Sequence, residues 1–142
     1  MKFNINQNDL QQSLGYCQGV IEKRSTLPIL SNILLNATGT KLKIIATDLD
    51  LIFINEIKNV EILEEGKTTT VSSTLFDIIR KFNSGKKINF NQTSENKIQL
   101  ESEKSIFNLN CLSATEFPVT EESFTANEFS IKAKELLKLL NK

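Results

Sequence analysis

The alternation of apolar and polar residues predicts a strand and then a helix at the start of the chain. Lys2 to Asn6 alternates as a half-buried strand does. Asn8 or Asp9 is the candidate cap of the helix, whose apolar stripe is Leu10, Leu14, Cys17 and Ile21. The opposite face carries the small or polar residues Gln12, Gly15, Gly19 and Glu22. This face either lets a large partner pass close by or is the solvated side of a weak helix.

The stretch Arg24 to Leu35 (R-S-T-L-P-I-L-S-N-I-L-L) joins this helix to the first long apolar run. Pro28 has no N–H and biases Leu27 toward extended geometry, so residues 26–28 are predicted to form a stiff connector. Further strands are predicted at Ser31 to Ala37, Lys41 to Thr47, Leu49 to Ile57, Thr68 to Val71, Lys87 to Gln92, Lys97 to Glu101 and Ser105 to Cys111. Because Leu51 to Ile54 is continuously apolar, we expect that strand to be covered on both faces.

A second helix is predicted from Ser72 or Ser73, either of which could cap it, to about Asn83. Its apolar residues cover roughly 160° of the helical wheel, more than one core contact needs. We therefore expect the edge formed by Ile78 and Phe82 to be buried by something outside the domain. The polar face carries Ser73, Asp77, Arg80 and Lys81.

Composition restricts the classes of function. The 142 residues suffice for one ordinary domain, and 17 basic residues balance 17 acidic ones. A nucleic-acid partner would thus require positive charge gathered on one face. Cys17 and Cys111 have no metal-ligand spacing, and we expect buried, reduced thiols and a cytoplasmic location. No window is apolar enough to span a membrane, and the N-terminus has no signal-peptide core.

An enzyme is not favoured by the sequence. There is no histidine, the commonest general base and metal ligand. Asp48 and Asp50 form a D-x-D that could hold Mg²⁺, but a turn capped by its own aspartate side chains is the better interpretation. We found no glycine-rich phosphate loop and no nucleophile elbow, and we expect no metal and no cofactor.

The end of the chain repeats its beginning at a constant offset of 126 residues (129 − 3 = 126). The matched pairs are Phe3 with Phe129, Ile5 with Ile131, Asp9 with Glu135, Leu10 with Leu136, and Leu14 with Leu140. Leu112 to Pro118 and the acidic residues after it are predicted to be an irregular linker. We therefore predict a first domain at residues 1–122, then a linker and the first strand and helix of a truncated second domain at residues 123–142. Chance similarity of two amphipathic segments is the alternative.

Four segments, in this order, resemble the bacterial β sliding clamp family, the beta subunit of DNA polymerase III. The family pattern R-x-T-L-P-I-L-x-N-I/L-L-L is matched by Arg24 to Leu35, and T-D-L-D/E by Thr47 to Asp50. F-D-I-x-R is matched by Phe76 to Arg80. L-P-x-x-D/E-F-P is matched by Leu112 to Pro118, with Ser113 where the family usually has proline. The resemblance covers essentially the whole chain.

This resemblance implies an α+β DNA-clamp fold, with two helices packed on antiparallel sheets. It also implies a non-catalytic processivity factor for the replicative polymerase: two three-domain chains, joined head to tail, would encircle duplex DNA. By likeness, the DNA-binding candidates are Lys23, Arg24, Ser73, Arg80 and Lys81, with Arg24 on the DNA backbone at the channel mouth. The candidates for the dimer interface are Ile78, Phe82 and Phe107. DNA polymerase and clamp loader would bind through domains absent here. The alternative is a stand-alone protein-interaction module using an exposed Ile78 and Phe82 edge.

Overall fold

The computed structural model describes residues 1–21, 26–118 and 130–142. Within these ranges the chain forms nine strands and three α-helices. In chain order they are β1 Lys2–Asn6, α1 Gln7–Cys17, β2 Asn32–Thr38, β3 Lys41–Thr47, β4 Ile52–Ile57, β5 Glu61–Glu64, β6 Gly66–Val71, α2 Ser72–Ile79, β7 Lys87–Ser94, β8 Lys97–Ser102, β9 Ser105–Asn110 and α3 Ala133–Leu140. None of the helices described is long and apolar enough to cross a membrane.

The strands form two antiparallel sheets. The first sheet has the order β5-β1-β7-β8-β9 and the second β4-β3-β2-β6. Phe3 on β1 lies directly opposite Phe90 on β7, and their rings stack with centroids 4.5 Å apart. Helices α1 and α2 pack on the same core as both sheets. The predicted arrangement of two helices on antiparallel sheets is confirmed.

Helix ends differ from the prediction because caps depend on backbone geometry. The cap of α1 is Asn6, not Asn8 or Asp9: its backbone is extended, and its side chain accepts the Asn8 N–H at 2.9 Å. The cap of α2 is Val71, which makes no side-chain hydrogen bond, and α2 ends at Ile79 rather than near Asn83. The turns after Ile79 are tighter: Lys81 N–H bonds the carbonyl three residues earlier.

The connector between α1 and β2 agrees with the prediction only in part. Leu27 is extended, as expected before a proline, with φ −105° and ψ 108°. Pro28 then opens a short 3-10 helix, Pro28–Ser31, which delays the start of β2 to Asn32. The proline ring fixes φ near the helical value, so proline is suited to the first position of a helix. The strand β5 was not predicted at all.

The prediction that Leu51 to Ile54 is covered on both faces is wrong. Leu51, Ile52 and Ile54 have exposed fractions of 52%, 39% and 49%. β4 is an edge strand of the second sheet, paired only with β3 among the described strands. An edge strand has fewer neighbours to cover it, and the sequence does not reveal which strand stands at an edge.

The predicted linker Leu112 to Pro118 is irregular, but its first part belongs to the fold. Leu112 exchanges two backbone hydrogen bonds of 3.0 Å with Thr69 on β6. Phe117 is 5% exposed and packs with Leu34 and Ile45 on the second sheet. This small cluster lies apart from the main core.

The last helix fits the internal repeat. α3 begins at Ala133, and α1 begins at Gln7, which again gives an offset of 126 (133 − 7 = 126). The α3 leucines are exposed, with Leu137 at 61% and Leu140 at 74%. Of the predicted second strand, residues 128 and 129 lie outside the described residues, and residues 130–132 do not form a strand. The proposed boundary between residues 122 and 123 also lies outside them and remains a prediction.

Candidate nucleic-acid interface

The helices α1 and α2 form an antiparallel pair that is tied together at both ends. Gln18, just after α1, donates from Nε2 to Ser72 Oγ at the start of α2, at 2.8 Å. Gln7, at the start of α1, donates from Nε2 to the carbonyl of Ile79, at the end of α2, at 2.9 Å. Gln7 is buried and its Oε1 has no partner. The two helices are thus held in one register by side chains that the apolar periodicity did not single out.

Between these ties the helices approach closely where α1 has a glycine. A Cβ added to Gly15 would lie 3.9 Å from Phe76 Cε2 on α2. Beside it, Gln12 Nε2 donates to the Tyr16 hydroxyl at 2.9 Å on the exposed side of α1. We call the exposed side chains of this pair and its extension the helix surface; its members are Asp9, Gln12, Gly15, Tyr16, Ser73, Asp77, Arg80 and Lys81.

The helix surface carries no net charge. Asp9 and Asp77 balance Arg80 and Lys81, and α1 itself has no basic residue. The Arg80 guanidinium lies 3.7 Å from the Asp77 carboxylate, and both side chains are more than half exposed. It also sits 5.4 Å from the centre of the Phe76 ring. Any phosphate that approached Arg80 would compete with a weak, solvent-screened pair.

The predicted DNA-binding residues divide into two groups. Ser73, Arg80 and Lys81 are brought together on α2 and the turn after it, and all three are exposed. Lys23 and Arg24 lie outside the described residues, so their role remains a prediction.

The edge formed by Ile78 and Phe82 is not exposed, contrary to the expectation from the helical wheel. Ile78 is 8% and Phe82 7% exposed, and both belong to the core. Phe82 meets the half-buried Phe107 of β9 edge to face, with ring centroids 5.5 Å apart. The wide apolar arc of α2 is thus used largely inside the domain. The neighbouring Ile106 is 56% exposed on β9, an edge strand of the first sheet, and sequence reasoning missed it.

The remaining candidates for chemistry have structural roles. Asp48 Oδ1 accepts the N–H groups of Asp50 at 3.0 Å and Leu51 at 2.6 Å, which is the predicted aspartate-capped turn. Cys17 and Cys111 are free and buried, and burial raises the pKa of Cys17 to about 11. In residues 1–21, 26–118 and 130–142, no three His, Cys, Asp or Glu side chains are grouped to hold a metal ion.

Comparison with known proteins identifies the family. Residues 1–121 match the family described as "DNA polymerase III beta subunit, N-terminal domain". The chain belongs to this family. The resemblance seen in the four sequence motifs is therefore confirmed.

Individual relatives agree with this assignment. The beta sliding clamp of Caulobacter vibrioides is 36% identical over the whole chain, and that of Escherichia coli K12 is 30% identical over 99% of it. Among solved structures, Caulobacter crescentus pol III beta superposes with a TM-score of 0.92 at 36% identity. A Bartonella birtlesii sliding clamp bound to griselimycin gives 0.92 at 32% identity and 99% coverage. The chain spans 38% of the length of the curated relatives and of the Caulobacter structure, and 37% of the Bartonella one.

Proposed function

We propose that this chain forms the first domain of a ring-shaped processivity clamp that encircles duplex DNA for the replicative polymerase. The observation that carries the proposal is the match of the whole chain to sliding clamps in both sequence and structure, at 36% identity and a TM-score of 0.92. The helix that begins 126 residues after α1 supports a second unit of like fold. We place the boundary between the two units at residues 122–123.

A clamp of this kind works by topology and needs no catalytic group. It must stay on the DNA while it slides along it. Contacts that read base edges would hinder this sliding, whereas a few contacts to phosphates would not. The helix surface fits that requirement, because its two cations, Arg80 and Lys81, are balanced by Asp9 and Asp77 and would attract phosphates only weakly. The proposed phosphate contacts are Lys23, Arg24, Ser73, Arg80 and Lys81.

Ring closure would use the edge of the first sheet against a second clamp chain in head-to-tail arrangement. Phe107 is half-buried on β9, and Phe82 and Ile78 lie beneath it in the core. A newly buried apolar side chain contributes roughly 1.5–3 kcal/mol. We infer that Phe107 faces the partner, whereas Ile78 and Phe82 support it.

The other partners and the location follow from the proposed role. DNA polymerase and clamp loader would bind parts of the full clamp that lie outside these 142 residues, and the clamp would act in the cytoplasm without a cofactor. A stand-alone interaction module built on Ile78 and Phe82 is not favoured, because both side chains are buried.

The experiment that tests this proposal compares circular and linear DNA. The polypeptide is purified from its native source. A clamp chain of three repeat units is expected to have roughly 380 residues. After enzymatic loading, we expect it to stay on circular plasmid and to be lost when the plasmid is linearised, because a ring slides off free ends. Equal retention on both forms, or a native polypeptide of only one unit, would contradict the clamp.

The DNA-binding role of Arg24 is tested in the same native-length protein. Arg24→Ala should weaken DNA affinity at low salt and reduce its salt dependence, without changing ring stability. Lys97→Ala, an exposed cation of the first sheet, is the matched control. If Arg24→Ala binds DNA at low salt as well as the control does, Arg24 is not a contact.

A further inference from the structure

Helix α1 has few side chains with which it could meet a DNA backbone. It carries no basic residue, and the carboxylate of Asp9 would repel phosphates. Asn8 already takes part in the fold, because its Oδ1 accepts a hydrogen bond from Ser84 Oγ at 2.8 Å. On the exposed face of α1, Gln12 and Tyr16 are therefore the polar side chains that could reach a phosphate.

Tyr16 is held in one orientation by two contacts. Its ring meets the ring of Phe53 on β4 edge to face, with centroids 6.4 Å apart, and Phe53 packs against the main core. Its hydroxyl oxygen accepts a hydrogen bond from Gln12 Nε2 at 2.9 Å. Because the side chain is already ordered, little conformational entropy is lost when it binds a partner.

The hydroxyl of Tyr16 still has a proton to donate. A phenol is both an acceptor and a single O–H donor, and Gln12 uses only the acceptor. Among the residues that the structure describes, none accepts the hydroxyl proton. Tyr16 is 54% exposed, and the exposed Gly15 beside it has no side chain to shield it.

Tyr16 lies at the end of the helix surface that is without a described cation. The cations Arg80 and Lys81 follow the end of α2, which Gln7 ties to the start of α1. Tyr16 is the next-to-last residue of α1, about 14 Å along the helix axis from Gln7. Among the described residues, a DNA contact at this end must therefore come from a neutral group.

We propose that the Tyr16 hydroxyl donates a hydrogen bond to a DNA phosphate, as a neutral contact in addition to the charged ones. This inference rests on the proposed clamp function. A neutral contact suits a protein that slides, because the hydroxyl can exchange one phosphate oxygen for the next as the DNA moves. It also displaces no counterion, so it adds affinity without adding to the salt dependence of binding.

The test measures binding of a short fluorescent DNA duplex to the native-length protein over a series of salt concentrations. Tyr16→Phe removes the hydroxyl and keeps the ring against Phe53. We expect it to weaken binding about two- to tenfold at every salt concentration, which is the usual contribution of one hydrogen bond. The slope of log affinity against log salt concentration should stay unchanged.

Two further variants calibrate this measurement. Lys81→Gln should weaken binding and also make the salt slope shallower by roughly 0.9, because one phosphate contact by a cation is lost. Ser94→Ala removes an exposed hydroxyl from the first sheet and is the matched control, which should bind as the wild type does. Urea unfolding of the 142-residue chain should give the same midpoint for Tyr16→Phe and the wild type, because the ring contact is kept.

Two results would overturn the proposal. If Tyr16→Phe binds as tightly as Ser94→Ala at every salt concentration, Tyr16 is not a contact. If its binding weakens together with a shallower salt slope or a lower unfolding midpoint, the hydroxyl acts through a neighbouring cation or through the fold. Retention on circular DNA tests the ring independently of any one contact, so this proposal can fail while the clamp proposal stands.

Discussion

Replacing Phe82 by alanine tests whether the end of α2 belongs to the core of this domain. Phe82 is 7% exposed and meets the Phe107 ring at 5.5 Å with an interplanar angle of 79°. Truncating a buried phenylalanine costs about 3–5 kcal/mol. Because this site is close to the surface and can partly relax, we expect about 3 kcal/mol. Loss of the aromatic pair accounts for about 0.5–1.5 kcal/mol of this.

The assay is urea unfolding of the 142-residue chain, followed by circular dichroism. Phe82→Ala should lower the midpoint without changing the slope, because the surface exposed on unfolding stays nearly the same. Ile106→Ala, at a 56% exposed residue of the same sheet edge, is the control and should cost less than about 0.5 kcal/mol. A double-mutant cycle of Phe82 with Phe107 isolates the aromatic contact. If Phe82→Ala destabilises the chain no more than Ile106→Ala, the core assignment is wrong and Phe82 is free for an external partner.

Three further predictions concern the turn at Asp48, the Cys17 thiol and the Glu61 carboxylate. Asp48→Ala should lower the free energy of unfolding by about 1 kcal/mol, since two N–H groups lose their acceptor, while Asp50→Ala should change it little; a thermal midpoint raised by Mg²⁺ would instead indicate a metal site. Cys17, with its raised pKa, should react with a thiol reagent at pH 8 only after urea unfolds the chain; rapid labelling of the native protein would contradict its burial. The pKa of Glu61 is lowered by hydrogen bonds from two neighbouring side chains, so its contribution to stability is present above its ordinary pKa and is lost as pH falls through the lowered value. Unfolding of Glu61→Gln should therefore depend less steeply on pH in that range, and an unchanged pH dependence would refute the pairing.

Local patterns predicted most of the secondary structure. The strands at residues 2–6 and 41–47 were predicted with the observed ends, because alternation and turn residues are properties of a few consecutive positions. β5 was missed because Glu61–Glu64 is only four residues long and has three exposed side chains. The cap of α1 was misplaced because adjacent polar residues compete for that role, and that of α2 because the backbone starts the helix after the apolar Val71.

The candidate site was predicted less completely than the fold. Four ordered motifs were enough to indicate the family, and periodicity predicted the two helices but not their pairing. The ties made by Gln7 and Gln18 were not foreseen, since they join residues 72 and 54 positions apart. A polar side chain gives no sign in the sequence of the partner that it will meet in the fold.

By itself, the sequence determined which residues are apolar, where the periodicity changes, and the similarity of residues 128–140 to residues 2–14. It could not determine which strands stand at an edge, and so it led us to expect Leu51 to Ile54 to be buried. Nor could it show whether the apolar side of a helix is buried within the domain or by a partner, as Ile78 and Phe82 illustrate. Only the tertiary structure placed Lys67, Asn36, Lys43 and Glu56 in one row. The physical reason is that periodicity comes from neighbours along the chain, whereas burial and charge clustering come from neighbours in space.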